Sequence, residues 1–152
     1  MKGVLRALAS AIGITVLMAG CASGVKYSEM ASTIPTLKQD QGRVYFFRSS
    51  SLMGAGIQPD IKLNDAVVGQ SRPGGFFYVD RPAGKYLVST ASETEKTLSF
   101  ALDAGETKYV RTSAALGLIV YRIVPELETP EKAQSELPSL SFAPNEPPAA
   151  KK

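Results

Sequence analysis

The chain has 152 residues, with 17 Lys and Arg against 14 Asp and Glu, a single cysteine and no histidine. One cysteine excludes an internal disulfide framework, because bridges need pairs. The absence of histidine removes the side chain best suited to proton transfer near neutral pH and the commonest metal ligand. Between Asp40 and Glu128 the two signs balance at ten each, which excludes the clustered Lys/Arg footprint of a nucleic-acid-binding domain.

From Met1 a short basic stretch (Lys2, Arg6) precedes an apolar run from Ala7 to Val16, and Leu17-Met18-Ala19-Gly20 leads into Cys21. This order predicts a secretory signal peptide over residues 1–20. The run is shorter than the roughly 20 apolar residues that span a bilayer, so removal is expected rather than retention. Small residues before the cysteine resemble the lipobox of bacterial lipoproteins. That resemblance implies a diacylglycerol on the Cys21 thiol and a further acyl chain on its amine, with no other cofactor. One acyl chain holds a protein at a membrane only marginally, whereas two or three anchor it stably. Ala22 and Ser23 stand where an aspartate would resemble an inner-membrane retention signal, so the expected address is the outer membrane, facing the periplasm.

Residues 22–41 are small and polar without periodicity and read as a flexible tether. Residues 42–128 have the period of two and the Gly, Pro, Asn and Asp punctuation of short antiparallel strands. Strands are expected at Arg43–Arg48, Asp60–Asn64, Ala66–Gln70, Phe76–Asp80, Lys85–Thr90, Lys96–Leu102, Thr107–Thr112 and Leu118–Val124. The expected fold is an all-β antiparallel sandwich of about seven to eight strands. Asn64-Asp65 is a tight hairpin candidate, and Asp103–Glu106 is a turn expected to return Thr107–Thr112 as the partner of Lys96–Leu102. In the end segment 129–152 a short helix is expected after Pro130, over Glu131–Leu137, followed by a proline-rich, disordered tail from Pro138 to Lys152.

Adjacent aromatics at Tyr45/Phe46/Phe47 and Phe76/Phe77/Tyr78 point to opposite sheet faces. They serve either as core and edge cover or as a ligand-facing platform for an envelope glycan. Leu116–Tyr121 is apolar on both faces and reads either as a covered central strand or as a contact surface.

Catalytic motifs are sparse. Gly-x-Ser-x-Gly is absent, and the Ser23-Gly24-Val25-Lys26 match lies in the tether, where no rigid scaffold holds the lysine. Asp60, Asp65, Asp80 and Asp103 all neighbour turns, where such side chains cap backbone amides. A non-enzymatic protein is expected, with a hydrolase on convergent carboxylates as the alternative. The loop Arg48–Gly56 carries three serines and an apolar tip at Leu52 and Met53, and Arg-Pro recurs before glycine at Arg72 and Arg81. Arg48, Ser50, Arg72, Gly74, Gly75, Tyr78 and Arg81 are therefore the candidate binding surface for an envelope protein or glycan.

Gly42-Arg-Val-Tyr-Phe-Phe-Arg48, Gln58-Pro-Asp-Ile-Lys-Leu-Asn64, Pro73-Gly-Gly-Phe-Phe-Tyr-Val79 and Arg81-Pro-Ala-Gly-Lys-Tyr86 resemble, in content and order, an uncharacterised bacterial lipoprotein family, domain-of-unknown-function family twenty-eight forty-six. The resemblance implies a lipid-anchored β domain without an assigned activity. Asn64-Asp65-Ala66 departs from that family's Asn-Gly turn. The Pro-Ala-Gly-Lys-Tyr segment also resembles PEGA-type carbohydrate-associated β domains.

Overall fold

The computed structural model describes residues 22–144. Among the described residues nine strands form two packed sheets: β1 (Gln41–Phe47), β2 (Asp60–Leu63), β3 (Ala66–Gln70), β4 (Gly75–Pro82), β5 (Gly84–Ala91), β6 (Glu95–Leu102), β7 (Thr107–Leu116), β8 (Tyr121–Glu128) and β9 (Ser141–Phe142). One sheet runs β8-β7-β1-β4-β9 and the other β3-β2-β5-β6. The expected all-β sandwich is present. Most pairings are antiparallel, while β1 with β7 and β4 with β9 are parallel.

The parallel pair corrects one expectation. Thr107–Thr112 does not return beside Lys96–Leu102; the turn at Asp103–Glu106 carries the chain across to the other sheet, where Arg43 N–H binds the Glu106 carbonyl at 2.8 Å. Gly105 supplies the positive φ of +78° that this crossing needs.

The paired aromatics are explained by a second core. Val44, Phe46, Phe77 and Val110 point between the sheets, with Ile61, Leu63, Val88 and Leu102 opposite. The alternate residues Tyr45, Phe47, Phe76 and Tyr109 point outward and are covered by Ala133, Leu137 and Leu140, with Tyr27 and Met30 beside them. The larger sheet is thus buried on both faces, and a thin helical layer forms its outer cover.

That layer comes from the two segments expected to be loose. The tether region carries a helical turn α1 (Tyr27–Met30) and a 3-10 turn at Ala31–Thr33. The Tyr27 ring packs edge-on against Phe76 at 5.3 Å and Tyr45 at 6.1 Å. Arg43 grips Asp80 at 2.7 and 2.8 Å and also donates to the Pro35 carbonyl at 2.8 Å, tying the segment to the sheet. The helix after Pro130 is α2 (Pro130–Glu136), N-capped by the Thr129 hydroxyl. Rather than becoming disordered at Pro138, the chain continues through a 3-10 turn into β9 beside β4. Residues 1–21 and 145–152, including the expected signal peptide, Cys21 and the end of the tail, lie outside the described residues.

Candidate functional site

The two ends of the sandwich differ in chemistry. At one end lie the turns Asn64-Asp65, Pro82–Gly84 and Asp103–Glu106, which are short and polar. Lys108 sits 2.6 Å from Glu106 and holds its carboxyl below the usual range. At the other end the β1–β2 loop, the Arg72–Gly74 turn, the β5–β6 turn and the β7–β8 hairpin come together. This second end gathers the most distinctive sequence and is the candidate site.

Its organiser is Arg48. Strand alternation turns this side chain inward at the end of β1, and it is 3% exposed. The guanidinium donates to the carbonyls of Ile57 (2.8 Å), Ser71 (3.2 Å) and Gly54 (2.8 Å). It therefore folds the 49–58 loop back onto the sandwich. Burial pushes the Arg48 pKa below its ordinary value. Ser71, which also hydrogen-bonds the Thr112 hydroxyl at 2.8 Å, completes a polar plug over the core.

Ser50, Gly74 and Gly75 lie beside Arg48. Gly74 has φ +70°, its N–H binds the Arg48 carbonyl at 3.0 Å, and its vacant Cβ position is 3.6 Å from Ser50. Arg72 stacks its donors on Gln70 at 3.1 and 3.3 Å. Tyr78 and Arg81 are elsewhere: their β1 partners are Tyr45 and Gly42, toward the opposite end. At about 3.4 Å per strand residue, Arg72 and Arg81 cannot hold one anion. The Phe76–Tyr78 platform is likewise corrected, because Phe76 and Phe77 are buried, and Arg43 stands 4.7 Å over the Tyr78 ring.

A cleft of about 170 Å³ beside the loop is lined by Arg48, Ser49, Arg111 and Thr112 among others. Arg111 is ion-paired with Glu128 and Glu136, and Ser49 donates to Glu136 at 2.7 Å. Glu128, the last residue of the expected domain, and Glu136, beyond it, carry no local signal that pairs them with Arg111. Arg111 bridges the two carboxylates and Lys132 lies 3.8 Å from Glu128, an arrangement that suits a structural clamp between β7, β8 and α2. A larger, open hollow of about 430 Å³ lies on the outer face of the smaller sheet, between Asn64, Tyr86, Leu87 and Phe100.

The expected strand at Leu118–Val124 begins later, at Tyr121, and Leu116–Val120 forms the exposed tip of the β7–β8 hairpin. Leu118 is 95% and Ile119 90% exposed, and across the same end Leu52 is 94% exposed. Glu93 on the β5–β6 turn accepts both the Leu118 and Ile119 backbone N–H groups at 3.0 Å, and Arg122 donates to the Leu116 carbonyl at 2.9 Å. The tip is thus held from below with its apolar side chains outward. No sequence motif marks Glu93 for this role.

The architecture defines a two-sheet β domain with an outer helical cover and one apolar end. The chain belongs to the family described as Protein of unknown function (DUF2846), whose model matches residues 38–122. It is also similar to an "Uncharacterized protein" of Haemophilus influenzae (strain ATCC 51907 / DSM 11121 / KW20 / Rd), with 27% identity over 144 residues, covering 91% of this chain and 85% of that one. No solved structure matches.

Proposed function

We propose that this protein is a lipid-anchored lipoprotein of the bacterial envelope, held by acyl chains on Cys21, whose β-sandwich binds a partner or contributes to envelope structure rather than catalysing a reaction. The outer membrane, facing the periplasm, is the address this reading favours. The observation that carries it is the fate of the residue after the cysteine. Ala22 donates its N–H to the Pro73 carbonyl at 3.2 Å, at the same end of the sandwich as the apolar tips. An acylated Cys21 therefore meets the fold at its most apolar end, leaving the polar end directed away from the membrane. The non-catalytic part is supported by the candidate cleft, in which each arginine is already engaged by carbonyls or carboxylates. The test is Cys21→Ala in the full precursor. The variant is expected to leave carbonate-washed membranes and appear, folded, in the soluble envelope fraction; its retention in the washed pellet overturns the anchor.

A further inference from the structure

We propose that the end of the sandwich carrying Ala22 is a lipid-contacting face: Leu116, Leu118, Ile119 and Val120 of the hairpin tip, with Leu52 and Met53, enter the boundary between headgroups and acyl chains. This rests on the anchor reading and goes beyond it, because an acylated protein on a long tether needs no contact between its domain and the bilayer.

Three observations converge. The first is position. β1 and β7 run parallel with Phe47 opposite Arg111, so the loop after β1 and the end of β7 leave the sandwich on the same side. The two apolar segments adjoin there: a Cβ on Gly54 stands 2.9 Å from the Ala114 methyl and 3.3 Å from the Tyr121 Cβ. Ala22 is held at that end by Pro73, whose neighbour Gly74 is bonded to Arg48. No spacer separates Cys21 from the fold, so this end lies at the membrane wherever Cys21 is embedded.

The second is chemistry. Isolated exposed apolar residues are ordinary, whereas a contiguous projecting group marks a contact surface. Leu118 and Ile119 are almost wholly exposed at the apex of a hairpin. The third is the backbone. Unpaired amides are costly in lipid, and at this tip Glu93 accepts the Leu118 and Ile119 N–H groups while Arg122 satisfies the Leu116 carbonyl. Arg122 adds a positive charge at the base of the tip, opposite Ala115, which suits anionic headgroups.

The chain contains no tryptophan, so one introduced indole reports its own surroundings. The full acylated protein carrying Ile119→Trp, Leu118→Trp or Leu52→Trp is reconstituted into phosphatidylethanolamine–phosphatidylglycerol vesicles with brominated acyl chains; Leu87→Trp, on the outer face of the smaller sheet, is the control. Emission at the three tip positions is expected to be blue-shifted and to fall about twofold, given insertion about 5–10 Å into the boundary, with the control unaffected. Acylated, vesicle-bound protein whose tip indoles are not quenched overturns the lipid contact and leaves the anchor standing. A blue-shifted indole that bromine does not quench reports a protein neighbour, a second copy or a partner, and also overturns it. A chain that carries no acyl groups and does not float with vesicles overturns the anchor reading, and the inference with it.

Discussion

The Ala22 N–H and the Pro73 carbonyl, 3.2 Å apart, join the start of the described chain to the turn that closes over Arg48. Five residues later Tyr27 repeats the attachment from both ends: its N–H binds the Leu140 carbonyl at 2.9 Å and its ring meets Phe76 and Tyr45. A segment with the composition of a linker therefore acts as part of the outer core, and the distance between Cys21 and the domain is set by the fold.

Tyr27→Ala removes two edge-to-face contacts, each contributing about 0.5–1.5 kcal/mol beyond area burial. We expect it to destabilise the domain by about 2 kcal/mol in denaturant titration and to expose Lys26 and Lys38 to limited proteolysis, while Tyr27→Phe stays near the parent. Equal cleavage rates in Tyr27→Ala and the parent would mean that the segment is not docked through this ring.

Arg48 spans loop and turn with a planar fork that lysine cannot reproduce, since an ammonium offers three donors from one point. Arg48→Lys and Arg48→Leu are both expected to cost about 2–4 kcal/mol by leaving buried carbonyls unpaired. Urea unfolding measures the loss. A drop below about 0.5 kcal/mol in Arg48→Lys, the scatter of ordinary surface substitutions, contradicts the role given to the fork.

The hairpin between β2 and β3 places two non-glycine residues at positive φ, Asn64 at 47° and Asp65 at 65°. Asparagine tolerates the first position of such a turn, and the second favours glycine. Asp65→Gly is expected to stabilise the domain by about 0.5–1 kcal/mol, with the relief of the left-handed conformation partly offset by unfolded-state entropy. A fall in thermal midpoint refutes it.

Burial, with the neighbouring Tyr27, pushes the Tyr45 hydroxyl up from 10.0 to about 12. The unfolded chain therefore releases this proton first. The contribution is whole below pH 10.0 and is lost as pH rises through the folded value of about 12. Melting temperature is expected to fall across that window, and less steeply in Tyr45→Phe. Parallel curves for parent and variant would assign the alkaline loss to other groups.

Much of this fold is legible in the sequence because its strands are punctuated by turn residues and alternate cleanly. The helix after Thr129-Pro130 and the glycine at position 105 are local signals of the same kind. What escaped reading depends on distant pairing. Nothing local in Thr107–Thr112 distinguishes pairing with Lys96–Leu102 from a crossing to β1. Small, polar residues 22–34 conceal Tyr27, Met30 and Ile34, three side chains at helical and near-helical spacing that suffice to dock the segment. Leu116–Tyr121 is apolar on both faces, and hydropathy alone does not separate a covered central strand from an exposed contact surface, which is what the hairpin tip presents. The arginines at 72 and 81 appeared related through their matching neighbours, yet β4 holds them apart. Of the proposed surface, Arg48, Ser50, Arg72, Gly74 and Gly75 do gather at one end, with Arg48 as its internal brace.

The most direct test of the account is the mass of the amino-terminal peptide of protein extracted from membranes of its native host. The expected peptide begins at Cys21 and is heavier by a thioether-linked diacylglycerol and an amide-linked acyl chain. An unmodified peptide beginning at any other residue, or Cys21 with a free thiol, contradicts it.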